Sequence, residues 1–147
     1  MKATVLADAE QKTYALIFDK DDEVVTTLTA FAKTRAIGAA HFTAIGAFST
    51  VTLGYFDRER KEYVKIPLPE QVEVLSLVGD VAQENAEPKV HAHVVVGKRD
   101  GTAHGGHLLE ARVWPTLELV LTESPTTLAR RSDRESGLAL IDIRRAA

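Results

Sequence analysis

The sequence predicts an α+β domain in which one principal helix packs against a mainly antiparallel β-sheet. Seven or eight short apolar segments are typical of strands, and hairpin-like turns between several of them favour antiparallel pairing. Only one segment has apolar residues at helical spacing. The length of 147 residues suits one domain, and no repeat or linker is found, so we expect residues 1–147 to form a single domain.

The first half of the chain supplies the helix and the first strands. An acidic cluster closes the first apolar segment, and Asp21 or Asp22 can cap the helix that follows. Apolar residues then recur at helical spacing from Val24, and Gly38 is placed to end the helix. The expected elements are a strand at 14–18, this helix, and strands at 41–48, 51–56 and 63–68.

The second half of the chain is predicted to consist of strands joined by turns and loops. Turn residues separate its apolar runs, and a polar segment precedes the last of them. The expected elements are a strand at 72–81, a loop at 84–88, a histidine-rich hairpin, its return strand at 107–114, a strand at 116–121, a polar segment at 124–137 and a terminal strand at 138–143.

The expected strands carry more apolar surface than one helix can cover. Several of them are apolar on both faces, and a helix of about four turns covers only part of a sheet. Self-association into a closed homo-oligomer would cover the remainder. A barrel-like curvature of the sheet would do the same, and the sequence leaves both alternatives open.

A candidate metal site lies in the histidine-rich hairpin. His91 and His93 are two residues apart on one strand, so their side chains share a face about 6.5–7 Å apart and can converge on one ion. His107 follows Gly105-Gly106 on the return strand. The alternative is that the His-Ala-His run is only the polar edge of an exposed strand.

The position of His107 depends on the register of the hairpin. A two-residue turn at Asp100-Gly101 would place His107 opposite Val94, on the wrong face. One extra residue in a β-bulge at Gly105-Gly106 would place it opposite Val95, on the face of the other two histidines. We therefore expect a bulge there.

Other polar residues are weaker candidates. Glu110 lies shortly after His107, and Glu73 is an acidic residue inside an apolar strand, so either could serve as a general base or orient a ligand. A structural ion pair or hydrogen bond explains Glu73 equally well. His104 lies too far along the strand from His93 to share an ion, and His41 has no partner in sequence, so we expect both to lie on the surface.

Composition narrows the classes of function. A net charge of −3 gives no general attraction to nucleic acid, and the absence of cysteine excludes thiolate ligands and thiolate nucleophiles. No apolar run is long enough for a signal peptide or a membrane span, which predicts a cytoplasmic protein with no membrane partner.

Five blocks of sequence, in order, resemble the plant- and prokaryote-conserved (PPC) domain family, and the chain resembles a stand-alone prokaryotic member. These blocks are Thr43-Ala44-Ile45-Gly46-Ala47, Leu53-Gly54-Tyr55-Phe56-Asp57 with Lys61-Glu62-Tyr63, Glu73-Val74-Leu75-Ser76-Leu77-Val78-Gly79, the histidine hairpin through Leu108, and Ser136-Gly137-Leu138. The resemblance implies a mainly antiparallel, curved sheet packed by one helix, a homotrimer, and a metal site at His91, His93 and His107. The AT-hook core of the plant DNA-binding members is missing, so we expect DNA association to be weak.

The sequence is compatible with two functions. The first is a zinc-containing homotrimer without enzymatic activity that binds a small ligand or a partner, with a regulatory or DNA-associated role. The second is a zinc-dependent hydrolase or lyase, because three histidines leave a tetrahedral zinc ion with one open position.

Overall fold

One helix and nine strands make up the part of the chain that the computed structural model describes, residues 1–7 and 11–143. In chain order they are β1 (Lys2–Ala7), β2 (Thr13–Phe18), α1 (Val24–Thr34), β3 (Ala39–Asp57), β4 (Glu62–Leu68), β5 (Val72–Glu84), β6 (Glu87–Gly97), β7 (Ala103–Glu123), β8 (Arg130–Ser132) and β9 (Ala139–Ile141). The single helix of these residues is too short to cross a membrane.

Four strands form a closed ring of antiparallel pairings. β3 pairs with β5 on one side and with β7 on the other, and β6 joins β5 to β7. β2 and β1 extend the sheet from β7, and β4 pairs with the second half of β3. This arrangement confirms the prediction of a mainly antiparallel, curved sheet with one principal helix. The ring also covers part of the apolar surface that a single helix leaves open.

Buried and exposed side chains alternate along the ring strands, so one face of each strand lines an apolar core and the other forms the outer surface. On β6, every second side chain from Val90 to Val96 is buried, whereas His91 and His93 between them point outward. Four helix residues pack into the core, namely Val24, Leu28, Phe31 and Ala32. The histidines therefore lie on the outside of the ring, where a metal or a ligand can reach them.

Glu23, and neither Asp21 nor Asp22, caps the helix. Its carboxylate accepts a hydrogen bond of 2.7 Å from the backbone N–H of Thr26. The same carboxylate accepts a hydrogen bond of 3.2 Å from the backbone N–H of Ala111 on β7. The longer glutamate side chain thus satisfies the helix end and ties it to the sheet at once. The expectation of an aspartate cap was wrong for this reason.

The helix ends at Thr34, before Gly38. Ala36 takes the left-handed conformation just after the helix, with φ of 53°. Gly38 serves another purpose, because a Cβ atom added to it would lie 2.5 Å from the side-chain oxygen of Thr127. The expectation that Gly38 ends the helix was wrong, and close approach of the chain explains this glycine.

Two pairs of expected strands are each one long strand. The segments 41–48 and 51–56 belong to β3, and the segments 107–114 and 116–121 belong to β7. Register shifts within the β3–β7 pairing, one of them beside Gly46, interrupt the ladder without ending either strand. These irregularities let each strand bend and pair with different neighbours at its two ends, which allows the ring to close.

A two-residue turn sets the register of β5 and β6. The sequence predicts a loop at 84–88, but Glu84 pairs directly with Glu87 and only Asn85 and Ala86 form the turn. Both turn residues have positive φ, 53° and 65°, as a tight type I′ turn requires. The pairing that follows places Asp80 opposite His91.

The C-terminal strands form a small hairpin beside the ring. β8 and β9 pair with each other, and the backbone N–H of Gln83 on β5 donates a 2.7 Å hydrogen bond to the carbonyl of Leu128 just before β8. The polar segment expected at 124–137 therefore contains a strand. This hairpin stands over the end of β5 and β6 that carries the histidines.

Candidate metal centre

A three-residue loop connects β6 to β7. Lys98 donates a backbone hydrogen bond of 2.8 Å to the carbonyl of Thr102, and Gly101 has φ of +82°. This is a type I turn followed by a left-handed glycine, a common three-residue hairpin loop. The side chain of Asp100 accepts hydrogen bonds from the backbone N–H and the hydroxyl of Thr102, at 3.0 and 2.6 Å.

The turn itself, and no later bulge, sets the position of His107. Pairing is regular from Gly97 opposite Ala103 to His93 opposite His107. The expected two-residue turn and the expected bulge at Gly105-Gly106 were therefore both wrong. The extra residue lies in the loop, because Gly101 can adopt the positive φ that a three-residue loop needs. The consequence is the one expected of the bulge, since His107 shares the face of His91 and His93.

The three histidines converge on the outer face of the hairpin. One ring nitrogen from each of His91, His93 and His107 lies within 4.8 Å of the other two, and the ring centroids are 5.1 to 5.4 Å apart. His91 and His107 are half-buried and His93 is exposed. We call these three residues the histidine triad.

Two glycines allow the strands around His107 to approach closely. A Cβ atom on Gly106 would lie 2.9 Å from the carbonyl oxygen of Gly54 on β3, closer than such atoms come in proteins. A Cβ atom on Gly54 would lie 2.8 Å from the ring of Tyr63. The open space at Gly54 lets Tyr63 stack on His107, with ring centroids 4.7 Å apart and planes inclined by 28°. This stacking limits the rotation of the His107 ring.

Asp80 orients His91. An oxygen of Asp80 lies 3.5 Å from Nδ1 of His91, and the other carboxylate oxygen accepts a hydrogen bond from Arg130. Burial opposes ionisation of Asp80, but the hydrogen bonds from His91 and Arg130 outweigh it and hold the pKa of this carboxyl below its usual value. A carboxylate behind a histidine fixes the ring and makes its other nitrogen a better metal ligand.

Burial favours the neutral forms of two triad residues, His107 and His93, by lowering the pKa of each. It lowers the pKa of His107 to about 4, and the positive charges of His91, His93, Lys89 and Arg130 add to the effect. The pKa of His93 is also lowered, first by burial and then by His91. Neutral imidazoles have the free lone pairs that a metal ion requires.

The depressed pKa of His107 predicts that the metal-free protein loses stability in mild acid. In the unfolded chain a histidine has a pKa of about 6.5, so between there and about pH 4 the unfolded state binds a proton that the folded state does not. The resulting penalty is absent above about pH 6.5 and grows as the pH falls. Urea unfolding in a chelator at pH 7 and pH 5 measures it, and an equal loss in His107→Asn would contradict this cause.

The triad fits a metal ion of the kind that prefers imidazole ligands. The Nδ1 atom of His107 is buried and has no hydrogen-bond partner within the described residues, and a metal ion would satisfy such an atom. A tetrahedral ion with bonds of about 2.0–2.1 Å needs nitrogens about 3.3 Å apart, so on binding the ring nitrogens, now within 4.8 Å of one another, would move closer together. Three nitrogen donors leave one coordination position open.

The other candidates from the sequence lie away from the triad. Glu73 is exposed on β5, five residues from the Val78 that pairs with His93, a distance of about 16 Å along a strand. Glu110 is exposed on β7 opposite Thr52. Among the residues that the structure describes, Asp80 is the carboxylate in contact with a triad histidine.

The two remaining histidines also lie outside the triad. His104 pairs with the buried Val96 and shares its face, which is the opposite face of the hairpin from His107. His41 is exposed on β3 and pairs with Asp80, one strand further from the triad than Asp80 itself.

Sequence reasoning missed three residues around the triad, Tyr63, Asp80 and Arg130. Tyr63 and Arg130 are distant in sequence from the three histidines. Asp80 is nearer, but it belongs to a different strand from His91. The one available signal was the Asn85-Ala86 turn, because a two-residue turn there places Asp80 opposite His91.

Comparison with known proteins gives a consistent set of relatives. A model of the Plants and Prokaryotes Conserved (PCC) domain matches residues 6–125. A plant- and prokaryote-conserved protein of Pyrococcus horikoshii is 34% identical with a TM-score of 0.85, over 96% of this chain and 94% of that chain. A metal-containing protein of Archaeoglobus fulgidus is 39% identical with a TM-score of 0.83, over 89% of this chain and 93% of that chain.

Two further relatives extend the comparison. A protein of Bacteroides thetaiotaomicron named as a candidate for DNA binding is 27% identical with a TM-score of 0.87, over 97% of this chain and 99% of that chain. A curated relative, the bifunctional protein GlmU of Synechococcus sp. (strain JA-3-3Ab), is 27% identical over 139 residues, or 92% of this chain. The chain spans only 21% of the length of that relative.

Proposed function

Because the chain belongs to the Plants and Prokaryotes Conserved domain family, we propose that it is a zinc-binding domain with His91, His93 and His107 as the ligands. The convergence of their three ring nitrogens supports this proposal most directly. Asp80 behind His91 and Tyr63 against His107 would hold the ligands in place. Three imidazoles without a thiolate suit zinc among the common metals.

Metal analysis of the purified protein tests this function. We expect one zinc ion per chain, removed by a chelator and restored by added zinc, with a higher melting temperature in the loaded form. Protein that takes up no zinc at micromolar concentration would refute the proposal.

We further propose that the chain is a single domain that assembles as a homotrimer in the cytoplasm. Five apolar side chains remain exposed together on the outer surface of β2, β3, β5 and β7, namely Ile17, Ile45, Leu75, Val78 and Val120. We call these residues the outer apolar face. The ring leaves them in water, and a partner copy would cover them.

Light scattering at micromolar concentration tests the trimer. We expect a mass of about 48 kDa, three times that of the 16.1 kDa chain. Ile45→Glu on the outer apolar face should reduce the mass, because it would bury a charge between copies. Val64→Glu is a matched control, since Val64 is exposed on β4 outside that face. A monomeric mass for the unaltered protein would refute the trimer.

We propose that the domain binds a small ligand or a partner in a regulatory role, and that any DNA association is weak. A net charge of −3 gives no general attraction to phosphate, so DNA binding would depend on a local basic patch and fall steeply with salt. The name of the Bacteroides relative is the observation that favours DNA. A sequence-specific complex stable at physiological salt, measured by fluorescence anisotropy, would contradict the weak binding.

The second candidate function is that of a zinc-dependent hydrolase or lyase. The open coordination position beside a cavity favours it, because bound zinc would polarise a carbonyl or phosphoryl oxygen there. Glu110 or Glu73 would then have to act through water or a partner copy, whereas Asp80 positions His91. An activity that disappears with chelation would support this function, and a metal that only raises the melting temperature would support the first.

A further inference from the structure

A cavity of 390 Å³ opens beside the histidine triad. His91 and His107 form part of its wall, and the β8–β9 hairpin contributes Arg130, Leu138 and Leu140. Its volume falls in the range of small-molecule sites, about 300–1,000 Å³. A molecule in this cavity can therefore contact the triad and the C-terminal hairpin together.

Arg130 lines this cavity and has one hydrogen-bond donor without a partner. Its side chain is 7% exposed. Its Nη1 donates a 3.1 Å hydrogen bond to the carbonyl of Ala139, and its Nη2 donates to Asp80. The Nε atom is buried and has no hydrogen-bond partner anywhere in the described part of the chain. A buried N–H group without an acceptor is costly, and an anionic oxygen would be a strong partner for it.

The charges around the cavity favour an anion once the metal is bound, and this step rests on the proposed function. The Nζ atom of Lys89 lies 3.9 Å from a carboxylate oxygen of Glu84, and Arg130 contacts the carboxylate of Asp80. The charges of these two cations and two carboxylates therefore nearly cancel. A divalent ion on three neutral imidazoles adds two positive charges that nothing else in the wall offsets. An anion that takes the open coordination position would reduce this excess.

The wall of the cavity is also apolar. Leu109, Leu138 and Leu140 line it together with the ring of Tyr63. Such a lining favours a ligand with a carbon body over a fully hydrated inorganic ion.

We propose that the zinc-loaded cavity binds a small organic carboxylate. With zinc held by the histidine triad, the carboxylate would lie beside the metal and accept a hydrogen bond from Arg130, and the carbon chain would lie against Leu138 and Leu140. Specificity for chain length then comes from the β8–β9 hairpin, and the triad supplies the affinity for the charged group.

Calorimetric titration of the zinc-loaded protein with acetate, butyrate, hexanoate and inorganic phosphate tests the proposal. We expect affinity to rise from acetate to hexanoate by about fourfold for each methylene that the wall covers, with phosphate weaker than hexanoate. In protein loaded with cobalt(II), hexanoate should change the visible absorption spectrum, because an oxygen enters the coordination shell. Chelated protein should bind none of the four.

Matched variants separate the roles of the wall residues. Arg130→Lys should weaken hexanoate by about tenfold or more, because lysine lacks the Nε donor of the guanidinium fork. Arg131→Gln is the control, since Arg131 does not line the cavity, is 61% exposed and pairs with Asp142. If Arg130→Lys fails to fold, Leu140→Ser still tests the wall, because Leu140 is 47% exposed and its loss should remove the gain from the longer chain.

The outcomes distinguish this proposal from the function on which it rests. Protein that binds zinc but no carboxylate, or binds phosphate more tightly than hexanoate, overturns the carboxylate site and leaves the zinc site standing. Equal affinities for acetate and hexanoate also overturn it. Protein that takes up no zinc overturns both.

Discussion

Replacing His93 by alanine should abolish stoichiometric zinc binding. His93 lies directly opposite His107 and is one of the three proposed ligands, so its loss would leave a two-histidine site. Removing even a residue that only supports a ligand costs about 10–100-fold in affinity, and loss of a ligand costs more. Because His93 is exposed, the substitution should leave the metal-free fold nearly unchanged. Zinc content after dialysis measures the effect.

His104→Ala is the matched control for this experiment. His104 is on the same hairpin, but it shares the opposite face with Val96, so its loss should leave zinc content unaltered. At a free zinc concentration 100 times the dissociation constant, the ion stabilises the fold by about 2.7 kcal/mol. The unaltered protein and the His104 variant should gain this stability, and the His93 variant should not. Equal zinc in both variants would remove the triad assignment.

Replacing Gly106 by valine should weaken zinc binding without changing a ligand. A Cβ atom at this position would lie 2.9 Å from the carbonyl oxygen of Gly54 and 3.3 Å from Cβ of Leu53. The clash pushes β7 away from β3 next to His107, which moves a ligand and costs about 1–3 kcal/mol of stability. Gly106 does not have positive φ, so close approach of the strands, and no bulge, explains this glycine.

Gly105→Val separates strand spacing from a general effect of valine in this segment. A Cβ atom on Gly105 would lie 3.4 Å from the carbonyl oxygen of Val94 and from the side chain of Val95, an ordinary contact. We expect zinc affinity and urea stability close to those of the unaltered protein. If both glycine variants lose zinc equally, the contact with Gly54 is not what places His107.

Local patterns were sufficient to identify the hairpin and the histidines that converge on it. Alternation along β6 places His91 and His93 on the outer face, because side chains two residues apart in a strand share a face. The single helix and the antiparallel strands likewise follow from spacing and turn residues close in sequence. The resemblance to the PPC family was confirmed by the match over residues 6–125.

The register of the hairpin could not be decided locally. Asp100-Gly101 is compatible with a two-residue turn, yet the chain forms a three-residue loop that ends at Gly101. A change of one residue moves every side chain of the return strand to the other face. The sequence thus predicted the face on which a shared ion requires His107. The prediction placed the extra residue at Gly105-Gly106, whereas the structure has it in the loop that ends at Gly101.

The sequence by itself determined the candidate chemistry of this protein, a metal site. It did so through the His-X-His hairpin and a third histidine that follows two glycines. The surroundings of this site were decided only by the tertiary structure. Asp80 and Arg130 are 50 residues apart in sequence, and the packing of β8 against β5 brings them together beside His91. Such contacts depend on which strands pair and in which register. Pairing and register are set by interactions between segments distant in sequence, so no short segment predicts them.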